Sequence, residues 1–189
     1  LAGSGGDAAG DTVTGFEILR GGSGNDTFIA TDAASTVFGQ DGNDVVQSGA
    51  GADALLGAAG NDSMASNGGA DSLDGASGND SLLGGDGADT LAGGAGADTL
   101  RGGGLGGTLL EGRDVASYAG ALAGVRVVLD ATGSGTGTAG DAAGDVLFDI
   151  DALLGSTLGD TLQGRDLDGG LGADSLQCIA GAETLVGGG

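Results

Sequence analysis

The sequence contains no proline, no histidine, no lysine and no tryptophan, and only one cysteine. Without histidine, and with a single thiol, the usual zinc-ligand sets and Ser-His-Asp triads are excluded. Without lysine there is no Walker-type phosphate loop. Cys178 cannot close an internal disulfide, so the redox compartment stays open, and it lacks the histidine that usually activates a nucleophilic thiol. Basic residues are scarce as well: five arginines face 27 acidic residues, for a formal net charge of −22. That balance disfavours nucleic acid and anionic membrane surfaces and makes cations the natural counterpart. Aromatics are 3% of the chain, too few to seat a sugar between paired carboxylates, so no enzyme activity is expected. The longest apolar run, Tyr118 to Val125, stops at Arg126, well short of the roughly 18 residues that a membrane helix needs. Membrane insertion is therefore not expected. The opening LAGSGG carries neither methionine nor a basic-then-apolar leader, and the chain reads as a piece of a longer tandem array.

What the sequence does have is glycine, 47 residues of 189, and a strict period. GGDGADTLAGGAGADTLR at 84 to 101 is one nine-residue phrase written twice. Stepping by nine from Gly21, the eighth position reads Phe28, Val37, Val46, Leu55, Met64, Leu73, Leu82, Leu91, Leu100 and Leu109. The sixth reads Asp26, Ser35, Asp44, Asp53, Asp62, Asp71, Asp80, Asp89, Asp98 and Gly107. A longer period lies inside this one. The fifth position is asparagine at 25, 43, 61 and 79 but alanine at 34, 52, 70 and 88, so the structural unit is eighteen residues, two nonapeptides to a coil. Each nonapeptide is expected to give a turn of six residues and a strand of three, its one inward side chain being the apolar eighth.

These residues resemble the RTX nonapeptide GGxGxDxUx, where U is a large apolar residue. The match runs in register over 21–110 and returns at 155–186. The resemblance implies an all-β fold, a right-handed parallel β-roll with calcium bound in its turns. Calcium takes six to eight oxygens from carboxylates and carbonyls. Stacked turns would let an ion meet one carboxylate from each of two coils, pairing Asp26 with Asp44, Asp44 with Asp62, Asp62 with Asp80, and Asp80 with Asp98. On the other side Asp53 pairs with Asp71, and Asp71 with Asp89. About six calcium sites follow, with half-sites beside Ser35 and Gly107. Asp98 closes its column, so losing it should cost less than losing Asp62. Backbone carbonyls of Gly39, Gly57, Gly75, Gly84 and Gly93 are the further candidate ligands. The competing reading of the aspartates is a solvated acidic face, or Asx-turns in which each carboxylate caps its own turn. With a thin core and columns of like charge, the metal-free repeats are expected to be expanded.

The remaining segments depart from the register. Residues 1–20 read as a connector, 21–110 as the first roll, 111–154 as a β spacer, and 155–189 as a partial second roll. In the spacer, Val125, Val127 and Leu129 alternate as in a half-buried strand; a second short strand is expected over 115–119, and a Gly/Thr-rich loop follows. GDAAGD occurs at 6–11 and again at 140–145, which points to a unit of 134 residues. In the second block Asp160 and Asp174 are candidate ligands, spaced by fourteen through an irregular insert, GRDLD; Glu183 stands where the last aspartate belongs. GGGLGG at 102–107 fits GxGxxG but has no strand-and-helix context. The resemblance implies a calcium-dependent structural and secretion-assisting segment of a larger secreted or cell-surface bacterial protein, carried by a type I exporter. Its partners would be calcium ions and neighbouring copies of the unit. A glycan-binding module or adhesin stalk is the alternative. No basic groove supports a glycan, and an ice-binding face would need regular Thr and Asn rows, whereas the third position is mixed.

Overall fold

The chain folds as a β-solenoid of two facing sheets. A computed structural model describes residues 9–12, 18–30, 32–103, 112–179 and 184–188; Gly107, Leu109, Glu183 and the first half of the first GDAAGD phrase lie outside them. Through the nonapeptides, successive strands alternate between the sheets. One sheet takes Thr27–Ile29, Val45–Gln47, Ser63–Gly68, Ser81–Asp86 and Thr99–Gly103 in order. The other takes Ile18–Ser23, Thr36–Asp41, Ala54–Ala59, Ser72–Ser77 and Thr90–Ala95. Every pairing among these strands is parallel, and the register puts like on like: Leu55 on Leu73, Leu73 on Leu91, Met64 on Leu82, Leu82 on Leu100. This is the expected eighteen-residue coil.

The eighth positions form the core. From Phe28 to Leu100 none is more than 3% exposed. Each such side chain is worth roughly 1.5–3 kcal/mol of apolar burial, and stacking them in a file makes each coil depend on its neighbours. Apart from Thr27–Ile29 and Val45–Gln47, the strands of the roll are longer than the expected three residues. Ala54–Ala59, for example, runs from the seventh position of one repeat through the third of the next. The glycines that suggested a turn remain in the ladder because the first position faces inward with no side chain, while the second turns the chain with a positive φ. That left-handed backbone is held even by Gln40, Ala58, Asn67 and Ala76, where a side chain makes it costly. Only positions four to six are left for the turn.

The spacer adds strands to both sheets. Val115–Ser117 pairs with Thr90–Ala95, and Ala152–Leu154 pairs with Val115–Ser117. In the opposite sheet Arg126–Leu129 is a strand, with Val125, Val127 and Leu129 buried. The Gly/Thr-rich segment is no loop: Gly135–Ala139 is a strand, antiparallel to Arg126–Leu129 on one side and to Val146–Phe148 on the other. Its alternation of small residues hid it, and its pairing comes from two flanking strand edges. Val146–Phe148 then lies parallel to Thr99–Gly103, and Arg126–Leu129 parallel to Thr161–Gly164. GRDLD is not an insert either. Asp166–Asp168 is a strand of the second sheet, reached from Thr161–Gly164 across a one-residue bend at Arg165, which is how a coil shrinks from eighteen residues to fourteen.

Candidate metal columns

Each sixth-position aspartate sits where a turn enters a strand, two residues before the buried apolar side chain, and the pleat therefore turns it inward. Asp44, Asp62, Asp80, Asp89 and Asp98 are at most 2% exposed. A solvated acidic face is thereby ruled out. Nor does the carboxylate cap its own turn. The backbone N–H of Asp26 donates to Asp44 Oδ1 at 2.8 Å, that of Asp44 to Asp62, of Asp62 to Asp80, and of Asp80 to Asp98, each also at 2.8 Å. On the other side Ser35 N–H donates to Asp53 at 2.6 Å, Asp53 to Asp71 at 2.8 Å, and Asp71 to Asp89 at 2.9 Å. Asp160 N–H donates to Asp174 at 3.0 Å. The paired aspartates of the sequence are thus consecutive rungs of two columns.

One oxygen of each rung is used in this way and the other is not. Oδ2 of Asp44, Asp53, Asp62, Asp71, Asp80, Asp89, Asp98 and Asp174 is buried with no hydrogen-bond partner. The ion pairs among the described residues, Arg101–Asp149, Arg113–Asp166 and Arg165–Asp151, do not reach these carboxylates. A buried anionic oxygen without a donor is costly. Burial, with a smaller push from neighbouring carboxylates, accordingly drives the carboxyls of Asp80, Asp89 and Asp98 up to about 6, and those of Asp44 and Asp71 upward too; burial alone raises that of Asp62.

The glycines show where the free oxygen points. A Cβ built on Gly39 would lie 2.2 Å from Asp44 Oδ2 and 2.8 Å from the carbonyl oxygen of Gly57. At Gly75 the corresponding oxygens are Asp80 Oδ2 at 2.3 Å and the Gly93 carbonyl at 2.6 Å, and at Gly84 they are Asp89 Oδ2 at 2.3 Å and the Gly102 carbonyl at 2.8 Å. A Cβ on Gly57 or Gly93 would likewise run into Oδ2 of Asp62 or Asp98. The first-position glycine therefore leaves open a cradle bounded by a carboxylate oxygen of its own turn and, at several steps, a carbonyl of the next coil. Every oxygen facing it is an acceptor, which is the donor set of a hard cation. Among the described residues no three acidic side chains converge as a metal cluster. A cation here would draw carboxylates from adjacent rungs and complete its shell with carbonyls and water.

The columns differ at the first position, a difference already written in the sequence. In the Asp26–Asp98 column the first position is glycine throughout, at 21, 39, 57, 75 and 93. In the other it is Ala30, Ser48, Ser66 and then Gly84. Ser48 Oγ donates to the Ser66 carbonyl at 3.2 Å, and Ser66 Oγ to the Gly84 carbonyl at 2.6 Å. The carbonyl at Gly84 thus already has a donor. A further ladder, of asparagine, runs along the exposed side of the turns: Asn25 Oδ1 accepts from Asn43 N–H, Asn43 from Asn61, Asn61 from Asn79, and Asn79 from Ala97, at 2.7–2.9 Å. That is the physical role of the fifth-position alternation, which explains why asparagine repeats at eighteen and not at nine.

Asp98 does not close its column. Its N–H donates to Asp145 Oδ1 at 2.9 Å, and Asp89 N–H donates to Asp114 Oδ1 at 3.0 Å. The sequence offered these spacer aspartates no place because they stand 47 and 25 residues on. The signal that finds them is aspartate two residues before an inward apolar side chain: Asp114 before Ala116, Asp145 before Leu147, Asp151 before Leu153. Both of the last rungs have protein partners. Tyr118 donates its hydroxyl to Asp145 Oδ2 at 2.9 Å, and Asp151, which takes the N–H of Asp114 on Oδ2, has Arg165 3.9 Å from Oδ1. At Asp160 the N–H and hydroxyl of Ser156 fill the same need.

The profile of the RTX calcium-binding nonapeptide repeat, built of four copies, matches in overlapping stretches at residues 11–34, 20–55, 29–64, 47–82, 66–100 and 74–107. Together they span more than half of the chain. No curated protein matches it.

Proposed function

This chain belongs to the RTX calcium-binding nonapeptide-repeat family, and from that premise we propose that it is a module whose two aspartate columns fold when calcium enters them, as a structural and secretion-assisting segment of a larger secreted bacterial protein. The observation that carries the reading is the file of buried, unpartnered Oδ2 atoms, which from Asp44 to Asp98 in the longer column stand each against a first-position glycine. Calcium, when bound, supplies the positive charge that these oxygens otherwise lack. The chain's own part is to hold the oxygens. Cross-coil N–H donors fix one oxygen of each carboxylate, the pleat aims the other inward, and the absence of a Cβ keeps the cradle open. Asp26, Asp44, Asp53, Asp62, Asp71, Asp80, Asp89 and Asp98 are the proposed carboxylate ligands. Carbonyls of Gly39, Gly57, Gly75, Gly84 and Gly93 join them, with Gly84 shared with Ser66, and Asp174 extends the set to the last coils. Asp160 serves as a rung whose second oxygen is held by Ser156.

Without the ion, two files of buried anions oppose stacking, and the apolar file is one side chain wide per strand. The chain then stays expanded where calcium is scarce, as in a bacterial cytosol, and folds where it is abundant, which suits export as an unfolded chain. RTX repeats occur in secreted bacterial proteins, and that family context supports the localisation. The test is a calcium titration followed by circular dichroism and small-angle scattering, with magnesium as the control. Coil should convert to β structure, and an expanded chain to a compact one, with calcium and not with equal magnesium. A compact β-rich particle in EDTA would refute the proposal.

A further inference from the structure

The column that holds Asp53, Asp71 and Asp89 opens toward the spacer. Its first positions carry Ala30, Ser48 and Ser66, and only then glycine, at 84 and 102. Asp89 is fully buried and its Oδ2 has no partner; this oxygen and the Gly102 carbonyl flank the cradle of Gly84. The same arrangement recurs one coil on, where the repeat has lost its sixth-position aspartate to Gly107. A Cβ on Gly102 would lie 2.4 Å from the carbonyl oxygen of Asp149 and 2.6 Å from Asp114 Oδ2. Asp114 is 5% exposed and holds the Asp89 N–H on Oδ1, as the regular rungs do.

Asp149 supplies the decisive detail. It takes the first position of its coil, with Phe148 in register with Arg101, and it adopts φ +55°, a conformation unfavourable for a residue with a side chain. Its carboxylate is turned away to Arg101, 3.2 Å off. The backbone is left to present a carbonyl where the regular coils present that of a glycine.

We propose that a calcium site lies in the spacer, between the rungs of Asp89 and Asp114, with the carboxylates of both and the carbonyls of Gly102 and Asp149 as its protein ligands. It rests on the calcium reading of the repeats and extends that chemistry beyond the residues the nonapeptide profile covers. The other column ends differently: at Asp145 the Tyr118 hydroxyl already occupies Oδ2, so no ion is bound past that rung. The spacer is thus the last metal-bound coil of one column and the plug of the other.

The test counts ions. Equilibrium dialysis with radioactive calcium, on the whole chain and on Asp114→Asn, should show the variant one ion short while its dichroism at saturating calcium matches the parent. Asparagine keeps the Oδ1 acceptor for the Asp89 N–H and removes only the charge. Equal stoichiometry in the two overturns the site and leaves the repeats' calcium binding standing. Calcium bound by neither protein overturns the underlying reading as well. If Asp114→Asn does not fold, anomalous diffraction from calcium-grown crystals of the unaltered chain decides: a peak beside Gly102 and Asp149 supports the site, and peaks confined to the nonapeptide turns refute it.

Discussion

Replacing Asp62 by asparagine is expected to change stability in opposite directions with and without calcium. Asparagine keeps the oxygen that accepts the Asp44 N–H at 2.8 Å and replaces the unpartnered Oδ2 with a neutral amide. In calcium, Asp62 faces two steps of its column, those shared with Asp44 and Asp80. At free calcium a hundredfold above the dissociation constant each ion contributes about 2.7 kcal/mol, so the loss reaches about 5 kcal/mol when both are forfeited. For a chain of this size that lowers the melting temperature by about 10 to 20 °C. In EDTA the sign reverses, because burial raises the Asp62 carboxyl above its ordinary range and a neutral side chain escapes that penalty. The concentration of trimethylamine oxide needed to induce β structure in EDTA should therefore fall. Thermal melts in calcium and osmolyte titrations in EDTA, both by circular dichroism, supply the two signs. An unchanged melting temperature in calcium, or destabilisation of equal size in both conditions, refutes the argument.

Because the rung beyond Asp98 is Asp145, whose Oδ2 is already held by Tyr118, Asp98→Asn should raise the calcium midpoint for folding less than Asp62→Asn does; an equal effect would mean that an ion also sits between Asp98 and Asp145. Ala76→Gly relieves a φ of +70° on an alanine and should stabilise the calcium-bound fold by up to about 1 kcal/mol once the added chain entropy is subtracted, measured by urea denaturation in calcium. The pH response should also invert with the metal. Asp80, Asp89, Asp98 and Asp114 are raised to about 6, so in EDTA their contribution favours folding below about pH 4 and is lost as pH rises through about 6. In calcium, protons compete for the same oxygens and the melting temperature should fall as pH drops below about 6. Melting temperatures in calcium and trimethylamine oxide titrations in EDTA, both followed between pH 4 and 8, check the two signs, and parallel pH trends would contradict the columns as described.

The coil was legible because stacking repeats every residue that faces it. An inward apolar residue at each eighth position and aspartate at every sixth but Ser35 and Gly107 admit one register, and asparagine at alternate fifth positions from 25 to 79 fixes eighteen as the period. The strand ends were not legible, since glycine at positions one and two reads as a turn when it is ladder with a left-handed second residue. Nor was the reach of the columns. A solenoid constrains where a rung sits in space and leaves the length of the connection free, so Asp114 and Asp145 follow Asp89 and Asp98 at distances no fixed period finds. Tyr118 as the partner of Asp145 is a meeting of residues 27 apart, brought about by the antiparallel strands that the spacer's small residues concealed.

Amide hydrogen exchange at the rungs tests the central claim most directly, because the N–H groups of Asp44, Asp62 and Asp80 donate into the next carboxylate of the column. With calcium these amides should be among the slowest in the chain, and in EDTA they should exchange at the rates of an unfolded peptide. Equal protection in both conditions would mean that the aspartate columns stand without a cation, and the account would fail.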